Sequence, residues 1–233
     1  MVLAGLQKLS LIDYPKHLSC IVFTQGCNWR CSFCHNPDLL PVTNPKNNTF
    51  GLSKEIFFQF LETRIGKLDA VTITGGEPTL HLDLLEFITQ IKALGFKVKL
   101  DSNGTNPDKL SAILSSGQVD YVAMDIKNTP EKYNILVNRK VDISRIQESV
   151  RLIMSSGLDY EFRTTCIPKV HTIEDFDVVA QWIKGAKNYY LQEYQTKVNL
   201  DPNFKYEISG FYLDLDLIKA RIDPFFGQVT IRK

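Results

Sequence analysis

Short apolar runs rich in β-branched residues recur along this 233-residue chain, and between them apolar positions fall every three or four residues. That alternation is the pattern of repeated β/α units, in which strands buried on both faces lie side by side and helices cover them. The runs at 19–24, 70–74, 97–100, 119–124, 160–165 and 188–193 are read as strands. Ile56 with Phe60, Leu84 with Ile88 and Ile91, Ile146 with Val150 and Ile153, and Phe176 with Val179 and Ile183 mark helices, each stripe facing the core. Gly95, Gly117 and Gly157 each stand between the end of a helical segment and the next strand, where a left-handed residue closes a helix. Six such strands suit an open doubly wound sheet or an incomplete barrel, because a closed eight-unit barrel takes about 250 residues.

No low-complexity linker interrupts the pattern, so the chain is read as a single domain over 1–233. The proline- and asparagine-rich stretch 40–50 is expected to be a surface loop, and 200–233 a loop, a helix over 213–221 and a short strand over 229–231. With 44% hydrophobic and 23% charged residues, the chain can bury a core without disulfides or structural metal. Twenty-seven Lys and Arg against 26 Asp and Glu leave a formal charge of +1 with no basic run, which argues against nucleic acid as the main partner. No apolar stretch approaches the roughly 18 residues of a membrane span, and the first residues lack a leader pattern, so a cytoplasmic protein is expected.

Cysteine usage changes the picture. Of five cysteines, three crowd together as Cys27, Cys31 and Cys34, which is no disulfide framework for a reducing compartment. Four of the strands run directly into polar or glycine-rich motifs: Gly26-Cys27, Gly75-Gly76-Glu77-Pro78, Asp101-Ser102-Asn103-Gly104, and Asp125-Ile126-Lys127. In parallel α/β folds ligands collect at the carboxyl ends of strands, so these motifs converge on one mouth, and the convergence argues for an enzyme. A C-x3-C-x2-C loop can aim three thiolates at one centre, and soft thiolates select zinc, copper or an iron–sulfur cluster. A closed zinc site wants a fourth ligand; His35 is adjacent to Cys34, Cys20 lies within a strand and Cys166 far downstream. Three protein ligands on a four-iron cluster would leave one iron open to a substrate or cofactor.

The segment from Gln25 through Cys27-Asn28-Trp29-Arg30-Cys31-Ser32-Phe33-Cys34 to Pro37 resembles the signature loop of radical S-adenosylmethionine (SAM) enzymes. With Leu11-Ile12-Asp13-Tyr14-Pro15 upstream and Gly-Gly-Glu-Pro downstream, the chain resembles the activating proteins of glycyl radical enzymes, most nearly the type that activates anaerobic ribonucleoside-triphosphate reductase, and is similar to pyruvate formate-lyase activating enzymes. The resemblance covers most of the chain, strongly to about residue 130. It implies a partial (β/α)6 TIM-type barrel, a [4Fe-4S] cluster on Cys27, Cys31 and Cys34, and SAM chelating the fourth iron. An electron from a flavodoxin or ferredoxin type donor would then cleave SAM to a 5′-deoxyadenosyl radical, which abstracts a hydrogen from a glycine of the partner enzyme. By the same resemblance the strand edge Gly75, Gly76, Glu77 and Pro78 holds the methionyl amino group, the Phe33 backbone lies on the adenine, and Asp101, Ser102 and Asn103 face SAM. In pyruvate formate-lyase activating enzymes the carboxylates matching Asp101 and Asp125 also hold a monovalent cation. Lys127 matches the residue that meets the SAM carboxylate.

Asp125 and Lys127, two apart in extended chain, point to one face and could pair. Arg163 alternates inward along its strand, towards SAM or into a salt bridge. Gln195 falls where the pyruvate formate-lyase activators carry a ribose-side His, with Gln192 as competitor. His17, His81 and His171 show no partner pattern and are assigned surface or capping roles. After the three ligands only Cys20 and Cys166 remain, too few for additional ferredoxin-like clusters, which favours a short activase. Two alternatives stand beside it: radical SAM chemistry on a small molecule, and a non-catalytic iron–sulfur or zinc protein.

Overall fold

A computed structural model describes residues 1–40, 52–195, 199–204 and 208–233. Eight strands form one sheet in chain order: β1 (Leu3–Ser10), β2 (Ser19–Thr24), β3 (Ala70–Gly75), β4 (Lys97–Ser102), β5 (Tyr121–Asp125), β6 (Asp159–Cys166), β7 (Asn188–Glu193) and β8 (Gln228–Arg232). From β2 to β8 every neighbouring pair is parallel, whereas β1 runs antiparallel to β2. The outer strands β1 and β8 do not pair with each other, so the six central β/α strands make a partial (β/α)6 barrel with an open side.

The α-helices described are α1 (Lys54–Glu62), α2 (Leu84–Ala93), α3 (Pro107–Ser115), α4 (Tyr133–Val137), α5 (Ile143–Ser155), α6 (Ile173–Trp182) and α7 (Leu215–Ile222), with short 3-10 turns at Pro37–Leu39, Pro78–Leu80 and Asp223–Phe225. The apolar stripes do as the spacing requires: Leu84, Ile88 and Ile91 on α2, and Ile146, Val150 and Ile153 on α5, are buried. On α1, however, Ile56 is exposed and the buried pair is Phe57 and Leu61, one position on. Caps set the starts, with the Asp142 side chain accepting from Ser144 N–H ahead of α5 and a reciprocal Thr172–Asp175 box ahead of α6. Gly95, Gly117 and Gly157 have φ of 89°, 67° and 76°, the left-handed conformation expected at the three joints.

All six expected strands are present, most of them running a residue or two longer at the end nearest the motifs. At the other end β6 begins one residue early, at Asp159, and β5 begins late, at Tyr121 rather than at 119. Ahead of it the Asp120 carboxylate accepts from Val98 N–H at 2.7 Å and from Lys92 Nζ at 2.8 Å. Strand β1 was not foreseen. Its pairing with β2 shifts register between Leu3 and Gly5 and again between Gln7 and Ser10, so its buried positions do not alternate. Helix α3, whose end Gly117 signals, carries no long apolar stripe; its start is marked by the Asn106 cap and Pro107. The stretch expected as a surface loop lies, from 41 to 51, outside the described residues. Among the described residues no helix is long and apolar enough to cross a membrane.

Candidate active site

The carboxyl ends of β2 and β3 are stitched together by backbone. Gly76 N–H donates to Thr24 O at 2.9 Å and Glu77 N–H to Gly26 O at 2.8 Å. A Cβ on Gly76 would stand 2.0 Å from Gly26 O, and one on Gly75, at φ 116°, 2.5 Å from Thr24 N. Both glycines are therefore demanded by the backbone that leads into the cysteine loop, a reason for the pair beyond the close approach of a ligand.

Glu77 is fully buried and joins two motifs: its carboxylate accepts from Thr79 N–H (3.1 Å) and Thr79 Oγ1 (2.5 Å), from Ser102 Oγ (2.9 Å) and from Asn103 N–H (2.6 Å). Burial pushes its pKa up against these four donors. Asn103 in turn donates through Nδ2 to Asn28 Oδ1 at 2.8 Å, tying the β4 motif to the cysteine loop. Pro78 opens the short 3-10 turn behind Glu77 and is buried.

Cys27, Cys31 and Cys34 all line one cavity of about 530 Å3. Within the loop Trp29 N–H donates to Cys27 Sγ at 3.4 Å, Cys34 N–H to Cys31 O at 3.0 Å, and Arg30 Nη1 to the Cys27 and Trp29 carbonyls, both at 2.7 Å. Burial raises the Cys27 thiol to about 11 and Cys31 to about 12, so a soft metal centre is what would hold them as thiolates at neutral pH. Among the described residues no three His, Cys, Asp or Glu side chains converge as the ligands of a single metal ion do. His35 also lines the cavity, where it stacks on Tyr194 and its Nε2 donates to Gln195 O at 3.0 Å.

Facing the cysteines is a row of alternating charges. Lys99 pairs with Asp101; Arg163 Nη1 reaches Asp101 at 3.0 Å and Arg163 Nε reaches Asp125 at 2.8 Å; Lys127 Nζ donates to Asp125 at 2.9 Å. Burial alone would raise both carboxyls, but Arg163 and then the lysines hold Asp101 and Asp125 below the usual carboxylate range. Burial likewise disfavours charge on Lys127, and Asp125 more than restores it. All four carboxylate oxygens of Asp101 and Asp125 accept from side-chain cations. The Lys127 ammonium also lies 5.5 Å from the centroid of the buried Phe33 ring.

Phe33, Gly75, Gly76, Glu77, Asp101, Ser102, Asn103, Asp125, Lys127 and Arg163 all line the cavity with the cysteines. Pro78 and Gln195 do not; Gln192 does. Gln195, placed by resemblance, lies beyond the end of β7 at Glu193 and is exposed. His171, read as a surface or capping residue, is buried at 4% exposure. It accepts Ile167 N–H at Nδ1 (3.0 Å) and donates from Nε2 to Lys127 O (2.8 Å). With Tyr133, whose hydroxyl accepts Lys127 N–H at 3.1 Å, it braces the backbone of the site lysine. Nothing local in the sequence marks either role, since both partners are about 6 and 44 positions away. Gln7 and Asp13, on and just beyond the unforeseen β1, also line the cavity. Cys20 and Cys166 are buried in the core.

The description "Radical SAM superfamily" belongs to a family model that matches residues 21–183. A Methanocaldococcus jannaschii protein named as a glycyl-radical enzyme activating enzyme is 34% identical over 209 residues, 88% of this chain and 84% of its own length. A pyruvate formate-lyase-activating enzyme of Listeria monocytogenes is 33% identical over 139 residues, 55% of this chain and 54% of that one. Among solved structures, Streptococcus suis SuiB bound to S-adenosylmethionine superposes with a TM-score of 0.66 at 14% identity, covering 91% of this chain and 49% of that one. The chain thus spans most of the archaeal relative and about half the length of the other two.

Proposed function

Because the chain belongs to the radical SAM superfamily, we propose that it acts in the cytoplasm, as a single domain, to activate a glycyl radical enzyme by abstracting a hydrogen from one of its backbone glycines, and that this partner is an anaerobic ribonucleoside-triphosphate reductase. It is a radical SAM enzyme whose cofactors are a [4Fe-4S] cluster and SAM. When bound, these supply hydrogen-atom abstraction from a carbon centre by way of a 5′-deoxyadenosyl radical, at the cost of one electron from a flavodoxin or ferredoxin type donor.

The chain's own residues hold and orient. Cys27, Cys31 and Cys34 bind the cluster. Lys127, kept charged by Asp125 and braced by Tyr133 and His171, takes the SAM carboxylate. The backbone edge at Gly75, Gly76 and Glu77 receives the methionyl amino group, with Pro78 shaping the turn behind it. Asp101, Ser102 and Asn103 form the adjoining wall, Phe33 offers its backbone to the adenine, and Gln192 rather than Gln195 serves the ribose. Arg163 fixes the two carboxylates and, with them, the direction of Lys127.

One observation carries the reading: the three loop thiols and Lys127 open on one cavity in a barrel whose edge strands β1 and β8 do not close. A side opening suits a chain of another protein, and glycine, without a side chain, lets its Cα come close to a reactive carbon. The test is anaerobic cluster reconstitution, reduction with dithionite, and incubation with SAM and a reductase deuterated at its candidate glycine. Deuterium is expected in 5′-deoxyadenosine. Label transfer only from a free metabolite would replace the activase by an enzyme acting on small molecules.

A further inference from the structure

The outer side of the cysteine loop borders a second hollow. Asn28 and Trp29, the two residues after Cys27, form one wall of a cleft of about 250 Å3 whose other wall is Thr105 and the segment between α4 and α5, with Arg139 and Lys140 at its lip. Trp29 is buried at 3% and lines both this cleft and the site cavity, so it is the partition between them. The partition is held firmly: Asn28 Nδ2 donates to Thr105 Oγ1 at 2.9 Å, and Arg30 N–H to Val137 O at 2.9 Å.

The cleft is cationic although the chain as a whole carries only +1. Arg139 and Lys140 are exposed, and neither has a carboxylate partner among the described residues. Their position is imposed by Asn138, which ends α4 in the left-handed conformation at φ 50° and turns the chain outward. Arg145 on α5 is a third lining cation. Against these three cations the lining holds one carboxylate, Asp142, which caps α5 through Ser144, while Asp108 beside the cleft pairs with Arg145 at 2.8 Å, so positive charge is in excess. Uncompensated positive charge at the lip of a cleft draws an anionic partner and raises its association rate.

Resting on the activase reading, we propose that this cleft is the docking surface of the reductant, a small acidic protein carrying a flavin or an iron–sulfur group. One electron leaves the docked carrier, which is oxidised by one, and reaches the cluster behind Trp29 and Cys27, which is reduced by one; no atom is transferred. The arrangement separates the two traffics. SAM and the glycine use the cavity on one side of Trp29, and the carrier uses the cleft on the other, so reduction does not require the substrate to leave.

The experiment uses the reconstituted full chain and the double variant R139E/K140E, with photoreduced flavodoxin as the probe carrier. The variant's rate of cluster bleaching by flavodoxin at low ionic strength is expected to fall about tenfold or more, and its salt dependence to flatten. Dithionite-driven formation of 5′-deoxyadenosine should be unchanged, as should activation of the glycyl radical partner under dithionite. Equal flavodoxin rates in both proteins overturn the proposal. So does a loss confined to partner activation under dithionite, which would make the cleft a substrate-docking face. Failure of the unaltered protein to cleave SAM under dithionite would instead sink the functional reading on which this one rests.

Discussion

The two halves of the barrel build the same cavity by different physical means. Where β2 meets β3 the site is made of main chain: Gly76 and Glu77 lie on Thr24 and Gly26 at hydrogen-bond distance, two glycines have no room for a Cβ, and Glu77 gathers the following motif by the Asn103 amide. From β4 onward it is made of charge. Arg163 on β6 spans the carboxylates of Asp101 on β4 and Asp125 on β5, and below it Glu161, with no exposed side-chain surface, takes both Arg232 Nη1 and Nη2 at 2.8 Å and Tyr121 OH at 2.9 Å. Main-chain contacts are all or nothing, because a backbone cannot give way to a methyl group. Charge contacts are graded, since a substituted side chain can keep part of the geometry.

Substitution of the cysteines is the largest way to break the first half. Cys27→Ala, Cys31→Ala and Cys34→Ala should each lose the cluster and all SAM cleavage, because each removes one of three protein ligands. Cys20→Ala and Cys166→Ala should keep both, as these thiols are packed in the core away from the cavity. Iron content and 5′-deoxyadenosine after reconstitution decide it; a cluster that survives the loss of Cys31 refutes the assignment.

Arg163→Met tests the second half and should leave iron content near normal. It removes the cation between Asp101 and Asp125 and leaves buried negative charge with only Lys99 and Lys127, a change that costs about 3–5 kcal/mol when a buried pair is broken. The pH dependence carries the sign. Both carboxyls sit below their ordinary range when Arg163 is present, so they stabilise the fold above the unfolded carboxylate pKa of about 4 and that stability is lost only as pH falls below it. Without Arg163 burial pushes both upward, and the acid limb of the stability curve should move to higher pH. Denaturant titrations from pH 3 to 7 read this directly. An unshifted acid limb, or lost iron, would show that the far half is not held by charge.

This difference also explains what could be read before any coordinates. Motifs made of main chain demand particular residues at fixed spacing, so Gly75-Gly76, Asp101-Ser102-Asn103 and the cysteine loop stand out in the sequence, and the strands leading to them follow from their apolar runs. The chemical reason for Gly76 was less visible, because its neighbour Gly26 is 50 positions away in the chain. Residues that act through charge or bracing need only the right facing. Arg163 is placed by strand alternation but its partners are not; His171 and Tyr133, which reach Lys127 from elsewhere, leave no local trace; and Gln195, placed by resemblance alone, lies beyond the end of β7 at Glu193. Strand β1 stayed hidden because two register shifts break its alternation.

The smallest effect lies where the two means meet, at Glu77, a charged side chain doing the work of main chain. Glu77→Gln keeps shape and one acceptor oxygen, but its amide would face the Asn103 N–H, donor against donor, in place of a 2.6 Å bond. A buried donor left unmet costs about 1–3 kcal/mol, and with Asn103 loosened the tie to Asn28 and the cysteine loop should weaken too. The sign with pH is opposite to that at Arg163. Burial raises the Glu77 pKa, so its contribution is fully present below the unfolded value of about 4.3 and declines as pH rises through the raised folded one. The glutamine variant has no such group, so the stability gap between the two proteins should be widest near pH 5 and narrow towards pH 8. Urea midpoints at the two pH values measure the gap, and one that widens with pH would mean that the four donors, rather than burial, govern this carboxylate.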